Sequence, residues 1–186
     1  MLYNIEKEDS LFLLIDIQPS FPVAEQETLE QNSRLLLRIR EILNVPLIVT
    51  THYAEKLGTT KEIISQLFPA DQISIDKRIF SALRIEEVLN QIQKLDKKTL
   101  IIFGTEAHIC IFQTAMDARK EGFEVIIVAD AVSSRCLYDK EIALRRVEHA
   151  GIALMSTEMI VYGLLERADT KEFKEMLPYL KDHSKA

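Results

Sequence analysis

Three residues of this sequence carry chemistry that could act together, namely Asp16, Lys77 and Cys110. Each of them follows a short apolar run, at the point where a strand would end. A cysteine thiolate can attack a carbonyl carbon, a carboxylate can accept the thiol proton, and an ammonium stabilises the thiolate. These residue types therefore suit nucleophilic catalysis, provided that the fold brings them together.

Each residue also has an ordinary structural interpretation. A free cysteine is usually a small buried core residue, lysines are mostly solvated, and an aspartate at a strand end can cap a loop. Against this, a thiol in the first turn of a helix feels the positive end of the helix dipole, which favours the thiolate. On position alone both interpretations of Cys110 stay open, whereas Cys136 has no such partners and is expected to be structural.

The elements that must position these residues are short apolar runs that alternate with helical segments. The runs lie at residues 11–15, 45–49, 100–103, 125–129 and 152–155, with a weaker candidate at 73–75. Runs with little polar alternation are typical of strands buried on both faces of a parallel sheet. Between them apolar residues recur at spacings of three and four, as in Ile85, Val88, Leu89, Ile92 and Leu95. The pattern predicts a three-layer α/β fold of right-handed βαβ units, whose ligands bind at the carboxyl ends of the strands.

Length, charge and cysteine count argue against several classes of protein, among them nucleic-acid-binding, membrane-spanning and disulfide-rich proteins. The 186 residues predict one domain, 1–186, and the formal net charge of −6 argues against a nucleic-acid partner. The longest apolar runs are about five residues, far short of the roughly twenty that a membrane span needs. Two cysteines cannot form a disulfide framework for a chain of this size, so we expect a reducing, cytoplasmic setting.

Four segments resemble the isochorismatase-like cysteine hydrolases. They are residues 13–18 with Phe21, residues 77–81, residues 104–110 continuing to Ala118, and residues 130–135. The segment that contains Cys110 is the most specific, and the resemblance covers the chain from about residue 11 to 165. It implies a three-layer, Rossmann-like α/β fold with a six-stranded parallel sheet of order 3-2-1-4-5-6.

The resemblance also implies roles for the candidate residues. Asp16 would be the general base and later the acid, Lys77 would orient Asp16 and stabilise the thiolate, and Cys110 would form an acyl-enzyme. A non-proline cis peptide would join Thr105 to Glu106 and aim the amide of Glu106, with that of Cys110, at the developing oxyanion. Removal of one oxyanion donor typically costs about 3 kcal/mol of barrier.

Two departures from the family pattern refine the assignment. Nicotinamidase-type members hold a metal through an Asp-x-His after the second strand, but here that stretch contains His52 without the aspartate, and the histidines are scattered (His52, His108, His149 and His183). We therefore expect no metal and no cofactor. The family's namesake, a vinyl-ether hydrolase, lacks the cysteine, so Cys110 favours acyl transfer. Further matches to the metal-free, substrate-orphan subgroup lie at residues 51–53, 57–58, 156–159 and 172–174.

The predicted activity is cleavage of a small amide or related C–N bond. In the subgroup, the position of His52 is often glutamine, so the pocket is expected to be locally altered. Candidate pocket residues are Phe21, His52, Tyr53 and Phe80. The partner is then a small-molecule substrate, and we expect a homo-oligomer, for which the charged tail from residue 171 to 186 could serve.

Two alternatives remain open. The chain could be a non-catalytic binding or assembly module that keeps the hydrolase fold, because a fold does not determine a function. Cys110 could also be a redox sensor with Cys136 as the resolving thiol.

Overall fold

The computed structural model describes residues 5–184, and its centre is a sheet of six parallel strands. The strands are β1 (Ser10–Ile15), β2 (Leu47–His52), β3 (Ser74–Lys77), β4 (Thr99–Thr105), β5 (Glu124–Ser133) and β6 (Ala153–Met155). Their order is β3-β2-β1-β4-β5-β6, and every neighbouring pair runs parallel. This confirms the predicted fold class and strand order.

Burial explains why the apolar runs form these strands. Every residue of β1 and β4 is buried, as expected where helices cover both faces of a parallel sheet. β2 begins at Leu47 rather than at Val45, because the amide of Val45 bonds back to Arg40 at the end of the preceding helix. β5 extends beyond residue 129 to Ser133, across a break in its register with β4.

Eight α-helices connect and cover the strands within residues 5–184. They are α1 (Gln26–Leu43), α2 (Ala54–Leu57), α3 (Glu62–Ser65), α4 (Glu86–Leu95), α5 (Phe112–Lys120), α6 (Leu137–His149), α7 (Thr157–Leu165) and α8 (Lys171–His183). A short 3-10 helix (Ala82–Arg84) precedes α4, and a π-helical turn (Ala107–Ile111) precedes α5. In this part of the chain no helix combines the length and the apolar character that crossing a membrane requires.

The charged tail forms α8, which packs along α1 of the same chain. Met176 and Leu180 are buried, and the Arg38 guanidinium lies 5.2 Å from the centre of the Tyr179 ring. The described part of the tail therefore packs on the surface of its own fold, with its apolar stripe turned inward. Residues 185 and 186 of that segment lie outside the described part.

Candidate active site

Asp16, Lys77 and Cys110 meet at the carboxyl edge of the sheet. The Lys77 Nζ lies 2.6 Å from Asp16 Oδ2 and 3.5 Å from Cys110 Sγ. The three residues are only 1–2% exposed, so the ammonium, the carboxylate and the thiol contact one another rather than water. A hydrogen bond between buried charged groups is far stronger than one at the surface, and this one holds the three groups in a single arrangement.

Strand register accounts for this meeting point. β1 lies between β2 and β4, and Ile15 pairs with Gly104, so Asp16 emerges beside the end of β4. A Cβ on Gly104 would lie 2.0 Å from the Ile15 carbonyl oxygen, so only glycine permits this close approach. The Thr105 hydroxyl then donates to the Asp16 carbonyl at 2.5 Å, which ties the two strand ends together.

Three residues in the left-handed region turn the chain out of the sheet at this edge. Asp16, Tyr53 and Glu106 directly follow β1, β2 and β4 and have φ of 56°, 50° and 58°. A side chain in this region costs of order 1 kcal/mol or more, and such residues are common at active sites. Three of the seven non-glycine residues with positive φ among residues 5–184 thus lie at the strand ends beside the candidate catalytic groups.

The predicted cis peptide between Thr105 and Glu106 is wrong, because residues 5–184 contain no cis peptide bond. The chain turns instead at the left-handed Glu106, with φ 58° and ψ 63°. The Glu106 carbonyl accepts hydrogen bonds from the amides of Ile109 and Ile111, at 2.9 and 3.3 Å. A trans peptide followed by one left-handed residue makes the turn without the roughly 3 kcal/mol of a cis bond. The oxyanion roles of the Glu106 and Cys110 amides stay predictions.

Cys110 lies in the π-helical turn that precedes α5. π-helical turns are rare and often occur at functional sites, since the wider turn displaces side chains from their α-helical positions. The turn places the thiol beside Lys77, and it buries Cys110 and Ile111 on the side facing the core.

Burial and Asp16 raise the pKa of the Cys110 thiol to about 12. Loss of water is the largest cause, the negative charge of Asp16 and its hydrogen bond with the thiol add to it, and Lys77 opposes it. This is contrary to the expectation that the helix dipole and the lysine would favour the thiolate. The raised pKa favours the thiol form of Cys110, which lies beside the ion pair of Asp16 and Lys77.

His52 forms an aromatic wall beside these groups. Its ring stacks on that of Phe80, with centroids 5.5 Å apart and an interplanar angle of 21°, and lies 6.3 Å from the Phe21 ring. The structure therefore brings three of the four candidate pocket residues together. The fourth, Tyr53, has its ring against the Arg78 guanidinium at 3.6 Å and the Lys56 ammonium at 4.6 Å.

His52 also lies near Cys110 and Asp16. A ring nitrogen of His52, a carboxylate oxygen of Asp16 and the sulfur of Cys110 all lie within 4.8 Å of one another. Burial, followed by the positive charge of Lys77, lowers the pKa of His52, so the ring is neutral at physiological pH. Its Nδ1 atom is buried and has no hydrogen-bond partner within the described residues.

Thr50 and Gln18 support the site in ways that the sequence did not reveal. The Thr50 hydroxyl donates to Asp16 Oδ1 at 2.8 Å. The Gln18 side-chain amide donates to the His52 carbonyl at 3.1 Å and accepts from the His52 amide at 2.6 Å. The sequence signal for Thr50 is that it is a polar residue within a mostly apolar strand. The sequence signal for Gln18 is only its position in the family segment of residues 13–18.

Glu106 contributes a buried carboxylate on the other side of the turn. Its two oxygens lie 2.9 Å from Arg135 Nε and 3.4 Å from His108 Nδ1, although neither contact has the angles of a hydrogen bond. The side chain is therefore directed toward the start of α6, and only its backbone belongs to the candidate site.

Comparisons with known proteins give the relatives of the chain as a whole. The family model described as isochorismatase domain matches residues 10–159. The secreted isochorismatase effector Isc1 of Phytophthora sojae is 32% identical over 95% of this chain and 86% of its own length. Isochorismatase domain-containing protein 2 of Danio rerio is 34% identical over 93% of this chain and 87% of its own.

Two solved structures have the same fold. The MAR1 ribonuclease of Caenorhabditis elegans superposes with a TM-score of 0.91 at 30% identity, over 96% of this chain and 92% of that one. The YcaC protein of Escherichia coli, described as an octameric hydrolase of unknown specificity, has a TM-score of 0.87 at 24% identity, over 100% and 97% of the two chains.

Proposed function

Since the chain belongs to the isochorismatase family, we propose that it is a cysteine hydrolase that cleaves a small amide or a related C–N bond. The observation that carries the proposal is the position of Lys77, which contacts both the Asp16 carboxylate and the Cys110 sulfur. A base, a cation and a nucleophile in mutual contact are what acyl transfer through a thiol requires.

The first half-reaction forms an acyl-enzyme. As the Cys110 sulfur attacks the carbonyl carbon, its proton passes to Asp16, and the C=O π electrons move to the oxygen. When the C–N bond breaks, Asp16 returns the proton to the leaving nitrogen, which departs as ammonia or an amine. A thioester to Cys110 and an ionised Asp16 remain.

The second half-reaction consumes water. Asp16 takes a proton from a water molecule as the oxygen attacks the thioester carbon, and the proton then returns to the departing Cys110 sulfur. The products are a carboxylic acid and the original thiol. Lys77 keeps Asp16 oriented and stabilises negative charge on the sulfur whenever the proton is on Asp16.

The raised pKa of Cys110 fits this order of events, because the thiol ionises only as it attacks. A protonated resting thiol is protected from oxidants and electrophiles, which react with thiolates. Substrate binding would drive the proton transfer by placing the carbonyl carbon against the sulfur.

The surroundings favour a small substrate with a flat, apolar portion. The wall of Phe21, His52 and Phe80 offers ring faces on which a planar group can stack. No cofactor is needed in either half-reaction. Both cysteines are free thiols, which agrees with a reducing compartment such as the cytoplasm.

We also propose that the protein assembles with copies of itself. Apolar side chains are exposed on α6 and α7, namely Leu137, Tyr138, Met159 and Tyr162. An interface between copies would remove them from water. Light scattering that gives the mass of one chain at micromolar concentration would contradict this.

The second candidate is a binding or assembly module without turnover. A substrate screen distinguishes this hypothesis from the hydrolase hypothesis. The screen uses a panel of small amides, ureas, esters and nitriles, and it measures the release of ammonia or amine and of acid. The wild type is compared with Cys110→Ala, and Cys136→Ala is the matched control. Turnover that disappears only in Cys110→Ala supports the hydrolase, whereas ligand binding without turnover supports the module. An RNA substrate belongs in the panel because a similar structure is named a ribonuclease.

A further inference from the structure

We propose that Asp16, His52 and Cys110 form a binding site for one Zn²⁺ or Cd²⁺ ion, and that the bound ion switches the nucleophile off. The ion is an inhibitor and not a cofactor, because it occupies the sulfur that the proposed hydrolase uses. Binding of the ion needs no turnover, so it can be tested independently of the proposed function.

The donor set suits such an ion. A thiolate sulfur, an imidazole nitrogen and a carboxylate oxygen are the ligands of Zn²⁺, and cysteine gives preference to soft or borderline ions over Mg²⁺ and Ca²⁺. The three donor atoms lie within 4.8 Å of one another. Tetrahedral ligands at about 2.0–2.3 Å from Zn²⁺ lie about 3.3–3.8 Å apart, so the side chains need to close by about 1 Å. Three protein ligands leave a fourth position for water.

His52 is prepared to act as a ligand. Its Nδ1 atom is buried and lacks a hydrogen-bond partner, a condition that is costly for a polar atom. The Gln18 amide holds its backbone on both sides, and the stacked Phe80 ring limits its rotation. Little conformational freedom remains to be lost when an ion binds.

Because of Lys77, we expect the ion to be absent from the resting protein and to act only as an inhibitor. Its ammonium contacts Asp16 Oδ2 at 2.6 Å and Cys110 Sγ at 3.5 Å, and repels any cation beside those atoms. The ion must therefore displace Lys77 from one of its two partners. Asp16 keeps its hydrogen bond from the Thr50 hydroxyl, which holds the carboxylate in place during the exchange.

The binding step balances without an oxidant. The S–H bond of Cys110 breaks, the proton goes to solvent, and the sulfur electron pair forms the bond to the ion. His52 and Asp16 donate lone pairs and lose no atoms. A chelator reverses the step by removing the ion, and the thiol takes a proton back from water. While the ion is bound, the sulfur can attack neither a carbonyl carbon nor iodoacetamide.

The test uses the full chain in the Cys136→Ser background, which removes the exposed thiol. Co²⁺ titration reports the site through the sulfur-to-metal charge-transfer band, and competition with Zn²⁺ and Cd²⁺ gives their affinities. We expect one ion per chain, protection of Cys110 from iodoacetamide, and release by EDTA. Absence of the charge-transfer band, or full alkylation of Cys110 at saturating Zn²⁺, would overturn the proposal.

Two substitutions identify the other ligands and the competitor. His52→Gln keeps a similar size but removes the imidazole, and should weaken Zn²⁺ binding by at least about tenfold. Lys77→Met removes the competing ammonium and should tighten binding, although it should abolish the proposed hydrolysis. Unchanged affinity in His52→Gln, or weaker affinity in Lys77→Met with the native circular dichroism spectrum retained, would contradict the site. Metal binding without amide turnover would contradict only the proposed function, and turnover without metal binding only this inference.

Discussion

The two cysteines of this chain have opposite surroundings. Cys110 is buried against Asp16 and Lys77, whereas Cys136 is exposed at the start of α6. Exposure would ordinarily mark the more reactive thiol, yet only Cys110 has a base and a cation in contact with it. The difference shows that the exposure of a thiol and its contacts with a base and a cation are separate properties. We expect the buried thiol to react only with a substrate that reaches its site, and the exposed thiol to react with any electrophile in solution.

The burial that raises the pKa of Cys110 also lowers the stability of the fold, because it takes charged groups out of water. A buried ion pair such as Asp16 and Lys77 loses its hydration on folding, and its Coulombic attraction roughly offsets that loss at best. The residues of β1 and β4 are all buried and mostly apolar, so their burial offsets the cost of the ion pair.

The largest expected difference is in turnover. Cys110→Ala should reduce hydrolysis of any substrate found in the panel by at least about 10³-fold, because the nucleophile is lost. Cys136→Ala should leave the rate unchanged. The measurement is kcat/KM by ammonia or amine release; equal losses in both variants would remove the distinction between the cysteines.

The two cysteines should differ in the reverse direction in their alkylation rates, with Cys136 reacting faster than Cys110. With a pKa of about 12, Cys110 has a thiolate fraction at pH 7 about 10³-fold below that of a free thiol with a pKa near 8.5. Iodoacetamide should therefore label Cys136 first, as read by peptide mass spectrometry. Because the pKa is raised, the Cys110 rate should increase about tenfold per pH unit and show no plateau up to pH 10. A plateau near pH 8 would show that Lys77 outweighs burial.

Lys77→Met should destabilise the fold by about 3–5 kcal/mol, because it leaves the Asp16 carboxylate buried without its cation. Urea unfolding measures this free energy. Arg167→Met is the matched control, since it breaks the fully exposed pair with Asp169 and should leave unfolding unchanged. A small change for Lys77→Met would mean that Asp16 takes up a proton or that water reaches the site.

The smallest expected effect is on the alkylation rate of Cys110 in Asp16→Asn. Whether that rate rises or falls reports the charge of Asp16. Asp16→Asn removes the negative charge that raises the pKa of Cys110, and it leaves the thiolate as the anionic partner of Lys77. Alkylation of Cys110 at pH 7 should become roughly tenfold faster, by the usual effect of one neighbouring charge on a pKa. Hydrolysis should be lost in the same variant, because the proton acceptor is gone. Slower alkylation would contradict the assigned charge of Asp16.

Much of the fold was predictable because parallel strands that are buried on both faces appear in the sequence as short, continuous apolar runs. The runs at residues 11–15 and 100–103 lie within β1 and β4. The recurring apolar residues from Val88 to Leu95 lie on α4, and Ile85 is its N-cap. Strand ends were less predictable, since hydrogen bonds and not apolarity determine them. β5 continues through Asp130, whose carboxylate accepts from both the amide and the hydroxyl of Thr157 at the start of α7.

By itself, the sequence determined which residue types were available and on which strand ends they lie, because periodicity and order along the chain carry that information. Tertiary structure decided the distances and the electrostatics. Three features depend on neighbours remote in sequence: the 2.6 Å contact of Lys77 with Asp16, the raised pKa of Cys110, and the approach of His52 to Asp16 and Cys110.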